Sequence, residues 1–139
     1  MGEDKSLGQV QELNVYLIPR HEDKILLLKR SNDIWEFPGG GVEWGEDPEK
    51  AARRELKEET DLEVKELKLL CVTSATFKKD NIPGQLKHAV YIVYNGEVTH
   101  AKYHLSGEHT EARWLLLREV KFLKLGLNAE PVLEFLAEK

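Results

Sequence analysis

The chain has a single cysteine, Cys71, in 139 residues, so no disulfide can form within it. Cys71 lies in the apolar run Leu69-Leu70-Cys71-Val72, where a thiol packs as a small hydrophobe and is not expected to act as a nucleophile. Long hydrophobic runs are also missing, and no stretch approaches the ~20 apolar residues that cross a bilayer. The opening residues Met1-Gly2-Glu3-Asp4-Lys5 lack the apolar core of a secretory signal, and the acidic residues behind Gly2 argue against its acylation. Positive charge is in deficit: the formal net charge is −5, whereas a nucleic-acid binder wants a basic face. With 41% hydrophobic and 32% charged residues, the composition fits one soluble core. These features predict a cytoplasmic protein with a single domain over residues 1–139, its first nine residues forming a polar tail. Its expected partner is a small molecule, with no membrane and no polymeric nucleic acid. Monomer and homodimer both stay open.

What the chain does have is carboxylate concentrated in one place. Gly39-Gly40-Gly41-Val42-Glu43-Trp44-Gly45-Glu46 leads through Asp47-Pro48 to Arg54-Glu55-Leu56-Lys57-Glu58-Glu59-Thr60-Asp61-Leu62. Asp47 suits an N-cap, Pro48 the first helical position, and Glu49 the positive end of the helix dipole. A helix is therefore predicted over Pro48–Thr60. At about 100° per residue, Arg54, Glu58, Ala51, Glu55 and Glu59 share one arc of it, and Ala52 and Leu56 the next. Like charges at this spacing repel by a few tenths of a kcal/mol per pair, roughly. A hard divalent cation, Mg2+ or Mn2+, would offset that repulsion. Ala51, small and central in the arc, would leave room for a cation and a phosphate.

Gly40, five residues, Glu46, seven residues, then Arg54-Glu55-Leu56-x-Glu58-Glu59 resembles the signature of the Nudix (MutT-like) hydrolases, and Trp35-Glu36-Phe37-Pro38-Gly39-Gly40 resembles its lead-in. One position departs: Asp61 stands where the family has glycine. A residue just past a helix end often takes a left-handed conformation, which Asp tolerates better than most. The resemblance implies an α+β fold, an α/β/α sandwich with a mixed sheet, and hydrolysis of a phosphoric anhydride. It implies a metal site of Glu55, Glu58 and Glu59 completed by the Gly39 carbonyl. Glu58 and Glu55 would be central to catalysis, Glu55 as a ligand or as the base that activates water. Arg54 would hold a glutamate in place, with a weaker contribution from Glu46. An acid from the segment Gly107-Glu108-His109-Thr110-Glu111 would reach the metals or act as base, with Glu108 preferred and Glu111 second.

Substrate contacts are less sharply marked. Arg30, at a strand end before the glycine loop, and Lys79, beside Lys78 after Phe77, are the candidate phosphate-binding cations. Trp44 and Phe77 are the preferred base-stacking rings, with Trp35 and Tyr103 behind them, while Phe37 and Trp114 are assigned to the core. His100, His104 and His109 lack zinc-ligand spacing. Strands are predicted at 14–19, 24–29, 35–37, within 63–76, at 87–94 and at 111–117, with Asn95-Gly96 as a turn. A short helical turn is expected over 117–120 and a final helix over 129–139. The favoured reaction is Mg2+-dependent cleavage of a nucleoside diphosphate linked to another moiety. A nucleoside triphosphate, intact or oxidised, is placed first, ADP-ribose or another nucleotide sugar second, and a dinucleoside polyphosphate third. The competing class is a nucleotide sensor without catalysis, which would have no use for three intact glutamates.

Overall fold

A computed structural model describes residues 8–78 and 84–137. It is an α+β sandwich around one mixed sheet. The strands are β1 (Gln9–His21), β2 (Lys24–Lys29), β3 (Trp35–Glu36), β4 (Gly39–Gly41), β5 (Lys68–Lys78), β6 (Leu86–Glu97) and β7 (Glu111–Leu116). The helices are α1 (Pro48–Thr60), α2 (Leu117–Val120) and α3 (Leu133–Ala137), the last preceded by a 3-10 turn at Glu130–Val132. The main order is β3-β2-β1-β6-β5, with β4 also pairing β1 and β7 also pairing β2. β1 and β6 run parallel from Gln9↔Leu86 to Arg20↔Glu97, and β1 joins β2 through the two-residue turn Glu22-Asp23.

Successive residues of a strand face opposite sides, and the sheet here buries both. Val15, Leu17, Leu26 and Leu28 pack with Ala51, Ala52 and Leu56 of α1. Ile18, Ile25, Leu27, Phe37 and Val93 pack on the other side with Val120, Val132 and Leu136. α1 spans the predicted residues. The Asp47 side chain accepts the Glu49 N–H at 2.9 Å, and Pro48 follows it. Asp61 ends the helix at φ 64°, with its N–H on the Lys57 carbonyl and its carboxylate 3.1 Å from Lys57 Nζ. The left-handed residue expected there is present, with an ion pair that glycine could not make.

Several sequence expectations are corrected. Asn95 and Gly96 do not turn the chain but continue β6. Gly96 is needed for close approach, since a Cβ there would lie 2.6 Å from the Glu66 carbonyl oxygen. Asn95 accepts a hydrogen bond from Arg20 Nε at 2.9 Å. β1 runs well beyond the predicted 14–19 because its parallel partner is long, and β5 reaches through Phe77 to Lys78. The C-terminal helix is broken into a 3-10 turn and a short α-helix. Cys71 is buried, as expected, and burial raises its thiol pKa.

Candidate active site

The anionic arc of α1 is graded by depth: Glu59 is buried, Glu55 half-buried and Glu58 exposed. Arg54 organises it. Its Nε and Nη2 grip both Glu46 oxygens at 2.8 and 2.9 Å, a bidentate, charge-assisted pair. Nη1 donates to Glu55 at 3.0 Å and lies 3.4 Å from Glu58, while Nη2 also reaches the Gly41 carbonyl at 3.2 Å. The Arg54 fork, helped by the Glu43 N–H, holds the Glu46 carboxyl down at about 2. Glu46 thus anchors Arg54 and ties the glycine loop to α1. Glu43 contributes its backbone N–H to Glu46 and is itself exposed.

Glu59 is held differently. Its Oε1 accepts the Gly39 N–H at 3.1 Å, so the contact this glycine makes here is through its amide. Gly39 and Gly40 are required by space. A Cβ at Gly39 would lie 2.1 Å from the Val15 carbonyl oxygen, and one at Gly40 would lie 2.8 Å from the Glu55 carboxylate. Burial pushes the Glu59 carboxyl up to about 9 against the Gly39 amide that lowers it, and the charges of Glu108, Glu55 and Glu36 add to the rise. Burial also raises Glu55, opposed by Arg54 and reinforced by Glu58 and Glu108. Glu108 therefore lies within electrostatic reach of both carboxylates, although the sequence separates it from them by about fifty positions.

This donor set fits a hard divalent cation: all its ligating atoms are oxygens, and one carboxyl is buried in a state that a nearby double charge would invert. Among the described residues no three His, Cys, Asp or Glu side chains converge on one point. Glu55 and Glu58 turn towards Arg54, and Glu59 towards Gly39.

The candidate substrate residues are scattered. Arg30 Nε lies 3.4 Å from Glu36, with its side chain half exposed. Trp44 is fully exposed on the loop beside Gly45. Phe77 is half-buried and lines an open cavity of about 700 Å³ with Gln9, Gln11, Leu86 and His88, to which neither Arg30 nor Trp44 belongs. Lys79 lies outside the described residues, while Lys78 lines the same cavity. Two secondary ring candidates are corrected. Trp35 is buried in the core, with Lys29 and Arg113 over its ring, and Tyr103 packs partly buried against the apolar cluster on the α1 side of the sheet, with its hydroxyl on the Ala112 carbonyl. Glu111 is engaged by Arg113 and by Lys29, 3.2 Å away, which lowers its pKa.

Sequence reasoning missed a buried polar cluster behind the carboxylates. Glu36 accepts from His109 Nε2 at 2.7 Å and from Asn128 Nδ2 at 3.3 Å, with Arg30 beside it. Tyr16 joins through Asn128, and burial raises its phenol pKa. The available signal was a glutamate between Trp35 and Phe37, a polar residue inside an apolar lead-in.

Comparison with known proteins places this geometry. The sequence profile of the NUDIX domain matches residues 10–136. An RNA pyrophosphohydrolase of Francisella philomiragia is 31% identical over 127 residues, covering 91% of this chain and 72% of that protein. A Bacillus subtilis protein provisionally named an 8-oxo-dGTP diphosphatase is 49% identical over 57 residues, which are 41% of this chain and 36% of its own length. The crystal structure of a MutT NUDIX hydrolase from Burkholderia pseudomallei superposes with a TM-score of 0.76 at 26% identity, covering 90% of this chain and 97% of that one.

Proposed function

The chain belongs to the NUDIX domain family, and on that premise we propose that it is a Mg2+-dependent pyrophosphohydrolase that cleaves a nucleoside triphosphate, intact or oxidised at its base, to a monophosphate and diphosphate. The observation that carries this reading is the graded carboxylate face of α1, with Glu59 buried on the Gly39 amide and Arg54 gripping Glu46, Glu55 and Glu58. Glu58 and Glu59 would hold the cation, with Glu55 as a third ligand or as the base, and the cation supplies charge neutralisation for the pyrophosphate and acidifies a bound water. The chain's own residues do the rest. Arg54 keeps the glutamates from splaying, and the missing side chains of Gly39 and Gly40 let backbone and Glu55 come together. Glu55, whose burial raises its pKa, is the first candidate to take the proton of the attacking water. Glu108 is the second.

The similarity to an RNA pyrophosphohydrolase favours one further substrate, the triphosphate at the 5′ end of an RNA, where the same bond would break. The net charge of −5 weighs against a long RNA contact. The test is a panel of nucleoside triphosphates, oxidised triphosphates, ADP-ribose, nucleotide sugars, dinucleoside polyphosphates and 5′-triphosphate RNA with Mg2+. Wild type is expected to release a monophosphate from one class, and Glu58→Gln to do so about 100-fold more slowly or worse, beyond the usual cost of removing a supporting group. Tight binding of one ligand without turnover would favour the sensor.

A further inference from the structure

The loop between residues 101 and 110 carries Glu108 in its least restrained part, Ser106 to Glu108. Ser106, Gly107, Glu108 and Thr110 are exposed, and Gly107 takes φ +104° with open space around it. The loop's fixed points lie at its ends. His104 N–H donates to the Thr60 carbonyl and Thr110 N–H to the Lys29 carbonyl, each at 2.8 Å, and Leu105 packs partly buried against the apolar cluster on the α1 side of the sheet. Between Leu105 and Glu111 one side chain alone is buried: His109, 4% exposed. Its Nε2 meets Glu36 at 2.7 Å, and its Nδ1 has no partner among the described residues. A carboxylate oxygen accepts, so Nε2 carries the proton and the ring is oriented by this one bond. Glu36 is held in turn by Asn128 and lies three residues before Gly39, whose amide holds Glu59.

We infer that His109 is a positioning residue: its buried bond to Glu36 fixes the Glu108 end of the loop to the segment that leads into Gly39 and Glu59. The inference rests on the proposed role of Glu108 in the hydrolysis. Its physical basis is simple. Glu108 adjoins a glycine of high conformational freedom, and a loop with one buried anchor loses its geometry when that anchor goes.

The test combines kinetics and hydrogen exchange on the intact chain with Mg2+. His109→Ala is expected to lower kcat about tenfold while KM changes little, the scale of losing a supporting hydrogen bond. His109→Gln, which keeps an N–H for Glu36, is expected to restore most of the rate. In a double-mutant cycle His109→Ala is expected to add almost nothing to Glu108→Gln, because both act through the same carboxylate. Exchange of the Thr110 amide is expected to quicken about tenfold in His109→Ala and not in His109→Gln. Effects that multiply in the cycle, or unchanged exchange at Thr110, would overturn the inference. If wild type turns over no member of the panel, the proposed function fails separately, and exchange at Thr110 still decides whether His109 anchors the loop.

Discussion

The glycine loop with α1 and the loop at 101–110 each carry carboxylates within electrostatic reach of Glu59, and they hold them by different means. In the first the acids are fixed by density of contact: Glu46 of the loop and Glu55 and Glu58 of α1 share one guanidinium, Glu59 sits on a backbone amide, and the helix is capped at both ends. In the second loop Glu108 is exposed, and the one buried side chain near it is His109. The first arrangement spreads its contacts over several residues but gathers three acids on Arg54. The second has backbone bonds at His104 and Thr110 and one buried side-chain bond beside Glu108.

The largest effects should fall on the acids of α1. Glu58→Gln is expected to lower kcat by more than about 100-fold, beyond what loss of a supporting group costs, whereas Glu108→Gln should cost less; steady-state kinetics on the best substrate ranks them. Equal losses at the two positions would erase the contrast. Next comes Arg54→Lys. An ammonium cannot span both Glu46 oxygens while reaching Glu55, so activity should fall about 10- to 100-fold with little change in Tm.

In stability, Gly39→Ala should cost about 1–3 kcal/mol in denaturant unfolding, because the new methyl meets backbone at Val15 that cannot move aside. Gly40→Ala should instead leave the fold nearly intact and displace Glu55. Dependence on pH separates the regions further. The folded-state pKa of Glu59, about 9, lies above its ordinary value of 4.5, so its share of stability is fully present below about pH 4.5 and is lost as pH rises towards 9. Metal-free protein should therefore lose Tm over that window, Glu59→Gln should flatten the slope, and Mg2+ should reverse it. The smallest effect is expected from Asp61→Gly, a gain of at most about 1 kcal/mol from relieving a left-handed residue, offset by the lost Lys57 pair.

The same contrast explains what was legible in the sequence. α1 could be read to its ends because cap, proline and helical spacing are local signals, and Glu55, Glu58 and Glu59 lie within five residues of one another. Asp61 too was readable, since the constraint is on one backbone angle. Glu36, His109 and Asn128 were not. They meet across 73 and 92 positions, and nothing local marks a lone histidine as buried. Asn95-Gly96 misled because a turn dipeptide was read without its neighbours: the long parallel partner β1 carries the strand on through Glu97. Trp35 misled because aromatic rings suit both a base and a core, and here the core took it.

On the proposed function the α1 face is a divalent-cation site with a buried, protonated Glu59. The most direct test is calorimetric titration of Mg2+ into metal-free protein near pH 7 in buffers of different ionisation enthalpy, which counts protons released on binding. The account expects saturable binding with close to one proton released by wild type, and none from this source in Glu59→Gln. Mg2+ binding with no proton release, or no binding at all, would contradict it.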